Sequence, residues 1–179
     1  MQKILATLAF ALTLQACNTV EPRQRTLPPT AVTKPAVSLV DPITIENLLR
    51  WPLEGAAGRD KVVAALSRLF EMKPLHASQS SGEGPVRLVD GYVLSFAHVR
   101  NLSGDIDIGI DAKSCIDPDW AAAVTGAMLN SVDQDAHGVD RGKQYDVTSN
   151  AMALRINTTP VTYRCVTAIH IYPLPTERP

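Results

Sequence analysis

The chain carries no excess of basic charge: 17 Lys and Arg face 18 Asp and Glu, for a formal net charge of −1. Nucleic-acid binding is ordinarily signalled by clustered positive charge, so no nucleic-acid partner is expected. Beyond the first seventeen residues, no apolar stretch approaches the roughly 20 residues that a membrane-spanning helix needs. No segment repeats. There is no GxSxG nucleophile elbow, glycine-rich phosphate loop, HExxH or CxxC pair, or paired-carboxylate signature. With none of these, no catalytic residue, metal or cofactor is assigned, and the chain is read as a non-enzyme.

What is present speaks first at the amino terminus. MQKILATLAFALTLQAC opens with Lys3, continues through an apolar run over residues 4–14 that is too short to cross a bilayer, and ends in Leu14-Gln15-Ala16-Cys17. This resembles the lipobox of bacterial lipoproteins. The resemblance covers residues 1–18. It implies that residues 1–16 are a signal peptide and that Cys17 becomes the mature N-terminus, carrying a thioether-linked diacylglycerol and an amide-linked third chain. It also implies that Asn18, which is not Asp, favours the outer membrane. Several acyl chains at about 0.8 kcal/mol per buried CH₂ anchor stably where one would not. The expected location is therefore the cell outer membrane, lipid-anchored, with the domain facing the periplasm. Residues 17–40, with Pro22, Pro28, Pro29 and Pro35, read as the lipidated cysteine and a Pro-rich tether extending about 3.1 Å per residue. Residues 41–179 then form a single domain.

With Cys17 given to lipid, Cys115 and Cys165 remain. Two cysteines in an oxidising compartment read as one disulfide. It would close a loop of about fifty residues, worth about 3–4 kcal/mol in the chain-entropy view.

The elements follow from periodicity. Asp41 is expected to cap a short helix, ITIENLLRW. RDKVVAALSRLFEM gives a second, with Val62, Val63, Leu66, Leu69 and Phe70 on one stripe. HASQSSGEGP reads as a loop. VRLVDGYVLSFAHVR alternates with period two, with Tyr92, Leu94, Phe96 and His98 on one side. After the turn Asn101-Leu102-Ser103-Gly104, Ile106, Ile108 and Ile110 point inward and the intervening aspartates outward. Asp117 and Pro118 open a third helix through PDWAAAVTGAMLNSV. A polar connection, DQDAHGVDRGKQ, leads to two closing strands within YDVTSNAMALRIN and VTYRCVTAIHIY. The expected class is α+β: an antiparallel sheet of four or five strands in hairpin-helix-hairpin order, with helices packed on one face.

Two acidic groups invite a test for chemistry. Counted from Asp105 as a calcium loop, position 5 is Gly109, position 6 is Ile110 and position 12 is Ile116, so required ligands are missing. A strand also spaces Asp105, Asp107 and Asp111 roughly 6–7 Å apart per alternate residue, which spreads their carboxylates. They are assigned instead to a partner-contact face. Asp133, Asp135, His137, Asp140 and Arg141 crowd the polar connection. They match no established metal spacing and are assigned to an exposed interaction loop. His98 and His170 belong to different hairpins; they could meet across a sheet, but a half-buried, hydrogen-bonded histidine is the commoner case. Ser78, Ser80 and Ser81 lie in the polar loop and not in a strand-to-helix turn.

The combined expectation is a lipid-anchored protein-binding module whose partner is another envelope protein, for example a toxin or hydrolase that it neutralises. A structural component of an envelope secretion or pilus machine is the alternative, and an envelope hydrolase a weaker one.

Overall fold

The computed structural model describes residues 41–175. The signal peptide, Cys17 and the Pro-rich tether lie outside the described residues. One antiparallel sheet dominates. Its strands are β1 (Lys73–His76), β2 (Gln79–Arg87), β3 (Val93–Arg100), β4 (Ile106–Ile110), β5 (Met128–Gln134), β6 (Asp140–Ser149), β7 (Met152–Thr158) and β8 (Val166–Pro173). Their order across the sheet is β1-β2-β3-β4-β8-β7-β6-β5. The last strand therefore inserts beside β4 and joins two hairpin systems into one surface.

Eight strands replace the expected four or five. Four of them escaped because their composition argues against strands. In β1 and β2, KPLH and QSSGEGPVR are rich in Ser, Gly and Pro and show no apolar alternation. They form because β3 supplies a ladder on which they pair. On the other side, the helix expected to run through residue 132 ends at Thr125. Gly126 adopts a left-handed conformation (φ 73°) and caps it, as glycine does readily there. The chain then extends into β5, and the expected polar connection becomes the end of β5, the hairpin tip and the first half of β6.

The helices lie together on one face. α1 (Ile45–Arg50) is capped by Thr44, whose hydroxyl accepts the Asn47 N–H at 3.2 Å, and not by Asp41. A 3-10 turn over Trp51–Glu54 leads to α2 (Ala56–Leu69), which buries Val62, Ala65 and Leu66. α3 (Pro118–Thr125) is capped by Asp117 as expected, yet buries Pro118, Ala121 and Thr125 while Trp120 stays partly exposed. Beneath them the sheet offers Leu94, Ile106, Ile108, Leu154, Ile156, Ile169 and Ile171, each essentially inaccessible to solvent. Burying one such side chain is worth about 1.5–3 kcal/mol, so this seam is the main stabilising element. Ile106, Ile108 and Ile110 face inward as the alternation required. Among the described residues, no helix is long and apolar enough to cross a membrane.

The disulfide joins Cys115, between β4 and α3, to Cys165 just before β8, with Cα atoms 4.8 Å apart. Beside it the Val166 N–H donates to the Ile116 carbonyl at 2.9 Å. Together they tie the α3 approach to the inserted strand.

Candidate functional site

The other face of the sheet carries no described helix, and its side chains are polar. Alternation explains this directly: on β4, β7 and β8 the residues between the buried isoleucines and leucines must point away from the core. Residues in direct register then form one row across all eight strands. The pairs are Lys73 with Ser81, Ser81 with His98, His98 with Asp107, Asp107 with His170, His170 with Arg155, Arg155 with Asp146 and Asp146 with Met128.

His98 joins this row because of a bulge. Between Leu94 and Phe96 the β3–β4 register slips by one residue. Leu94 pairs with Ile110 on the core side, whereas Phe96 and His98 pair with Gly109 and Asp107 on the open side. The expectation that Tyr92, Leu94, Phe96 and His98 share one face is thus corrected by the extra residue, which reverses the alternation. Gly109 is required here: a Cβ would sit 2.2 Å from the Phe96 ring, which lies over the β4 backbone. That ring stacks on His98, with centroids 4.8 Å apart.

Asp107 is the centre of the row. Its Oδ1 lies 2.5 Å from His170 Nδ1, and its Oδ2 accepts from Arg100 Nη2 at 2.8 Å. Only 13% of the side chain is exposed. The hydrogen bond to His170, aided by the charges of His170, Arg100 and His98 and opposed by burial, holds its carboxyl below the usual carboxylate range. Arg100 also reaches Asp105 at 3.4 Å. Further along, Arg155 grips Asp146 with two parallel bonds, Nε to Oδ1 at 2.9 Å and Nη2 to Oδ2 at 3.1 Å. Asn130 adds a third at 2.6 Å. Burial pushes the Asp146 carboxyl up, but the Arg155 and Asn130 hydrogen bonds outweigh it and the net shift is downward.

Between these two charge pairs lies an open hollow of about 310 Å³, lined by Asp105, Asp107 and Arg100 on one side and by Gln144, Arg155, Asn157, His170 and Tyr172 on the other. Asn157 Oδ1 is buried there and accepts no hydrogen bond from the described residues.

The sequence-derived candidates divide. Asp105 and Asp107 belong to the hollow, as ion-paired groups and not as a free acidic stripe. Asp111 lies beyond β4 and closes a turn, its Oδ1 accepting the Lys113 N–H at 2.8 Å. Asp133, Asp135, His137, Asp140 and Arg141 gather at the β5–β6 hairpin, where Asp135 and Asp140 serve the backbone. Asp135 Oδ1 accepts from His137 N at 2.8 Å and from Val139 N at 3.0 Å, and Arg141 stands 3.8 Å off. Those two backbone bonds hold its carboxyl low. Asp140 accepts from Gly142 N at 2.7 Å and from the Tyr163 hydroxyl. From Asp140 to Asp146 is about 20 Å along β6, so the tip is a separate surface, whereas Asp133, in β5, lies near enough to Arg155 for its charge to favour the charged guanidinium. Arg100, Arg155, Asp146, Gln144, Asn157 and Tyr172 were not singled out by motif. The signal that could have found Arg155, Asn157 and Tyr172 is their alternation with Leu154, Ile156 and Ile171.

Among the described residues, no His, Cys, Asp and Glu group has the arrangement to hold a metal ion. No hydrogen bond joins Ser81 to His98, although the two are register neighbours. The chain matches no protein-family model, no curated protein and no solved structure.

Proposed function

We propose that this is a protein-binding module, held at the outer membrane by lipid on Cys17, whose contact surface is the open face of the sheet. The observation that carries the reading is the in-register polar row on a face no described helix covers. Eight strands at about 4.8 Å spacing make that row roughly 34 Å wide. This suits a standard interface of about 800 Å² per partner. Charges already paired within the row keep their geometry before contact, so little side-chain freedom is lost on binding. The partner we favour is an envelope toxin or hydrolase that the module neutralises.

The assembly state of the native complex tests this. Isolation after mild cross-linking should give a one-to-one complex, and loss of the module should matter only when the toxin or hydrolase is present. A large multi-subunit assembly would instead favour a structural component of an envelope machine. No bound protein at all would refute both. Cys17→Ser should move the protein out of the membrane fraction; retention there would refute the anchor.

A further inference from the structure

The sheet has two outer edges, and they are guarded unequally. β1 is four residues long and holds Lys73 and Pro74, a charge and a residue without an N–H, so it offers little to a further strand. β5 is seven residues long, MLNSVDQ, and contains neither Lys nor Pro. β6 pairs with one side of it, and its outer N–H and C=O groups face no strand among the described residues. Met128 is 77% exposed, Leu129 53% and Val132 45%. They are three of the nine large apolar side chains that stand exposed among the described residues, and no other strand carries more than one. An edge that combines free backbone groups with apolar side chains is a template for another strand.

The order of faces along β5 says which strand. Met128 stands opposite Asp146 on the open face, and Leu129 opposite Tyr145, which packs against the core on the helix side. The register then slips by one residue, and Asn130 and Ser131 both turn to the open face, toward Asp146 and Gln144. Val132 returns to the helix side and Asp133 to the open face. Open, helix, open, open, helix, open reads the same in both directions. We propose that β5 pairs antiparallel with β5 of a second copy of this chain, about a two-fold axis between Asn130 and Ser131. Leu129 then lies beside the second copy's Val132, Met128 beside its Asp133 and Asn130 beside its Ser131, each pair sharing a face. A shift of one or two residues sets a helix-side residue against an open-side one, so the pattern selects this register. The two Asp133 carboxylates stand about 16 Å apart along the seam, so like charges do not meet. A seam six residues long is short for a standard interface, so the dimer is reversible and its population rises with concentration. The joined sheet has sixteen strands, eight from each copy, with both open faces on one side and each free for its own partner.

The test uses the full-length chain in cells, with single cysteines added and mild oxidation before a non-reducing gel. Across the axis the two Ser131 Cα atoms stand about 6 Å apart, within reach of a disulfide. Ser131→Cys should give a covalent dimer. Asp133→Cys, too far from its counterpart, and Leu75→Cys, on the guarded edge, should stay at the level of the unsubstituted chain. Val132→Lys sets an ammonium beside the second copy's Leu129 and should cut the Ser131→Cys dimer about tenfold. Ser131 and Val132 are both exposed, so these variants keep the fold. Sedimentation of the unsubstituted chain, purified in detergent, should show a dimer fraction that rises with concentration and is lost in Val132→Lys. Equal dimer yields from Ser131→Cys and Asp133→Cys, no dimer from Ser131→Cys, or indifference to Val132→Lys would overturn the self-pairing. A Ser131→Cys adduct with a different protein in place of the dimer gives the edge to that protein and overturns it as well. Each of these outcomes leaves the reading of the open face where it stands, since that surface is tested by its own partner.

Discussion

Aspartates crowd two parts of this molecule and do different work in each. At the β5–β6 tip, Asp135 and Asp140 accept N–H groups two to four residues away, and Asp140 also accepts from the Tyr163 hydroxyl. They shape a turn, and for Asp135 short-range sequence chemistry is enough to put it there. On the open face, Asp107 accepts from a histidine 63 positions away and Asp146 from an arginine 9 away. The first bond exists only because β8 inserts between β4 and β7, and the second because β6 and β7 pair in register as a hairpin. A carboxylate that serves its own backbone punctuates the fold; one that ties several strands together organises a surface.

Substitutions should separate the two. Asp107→Ala leaves Arg100 and His170 facing each other without their shared anion. It should cost about 2–3 kcal/mol in chemical denaturation, the largest effect among these aspartates. Asp146→Ala, whose pair is more open to solvent, should cost about 1–2 kcal/mol and free the Arg155 side chain, visible as averaging of its NMR signals.

Acid provides the next contrast. The Asp107 carboxyl titrates lower in the folded than in the unfolded chain, so its contribution is fully present above the ordinary carboxylate value of 3.8. That contribution is lost as pH falls through the folded value. Wild-type stability should therefore drop below about pH 4, and Asp107→Asn should flatten the drop. An unchanged acid profile in that variant would remove Asp107 from its central place. Asp135→Asn keeps a side-chain acceptor for the turn and should give the smallest effect, an unfolding midpoint close to wild type.

This contrast also marks how much was legible beforehand. The alternation of Ile106, Ile108 and Ile110 put the aspartates of β4 outward, and the cysteine count paired Cys115 with Cys165. Asp117 and Pro118 marked the start of α3. The outer strands were hidden because MLNSVDQ and QSSGEGPVR bury little and so need no apolar alternation; tertiary pairing overrides their composition. The end of α3 turned on the left-handed conformation of Gly126. The row itself was out of reach because it depends on three long-range facts: the bulge beside Ser95, the insertion of β8 and the register of Asp107 with His170. Period-two reading assigns faces and says nothing about which strands are neighbours.

The most direct measurement places a photo-crosslinking amino acid in turn at Gln144 on the open face, His137 at the hairpin tip and Ser67 on the exposed side of α2, in cells that produce the partner. The account predicts a single protein adduct from position 144 and none from position 67, with position 137 weak or silent. Adducts from position 67 or 137 with none from position 144 would contradict it.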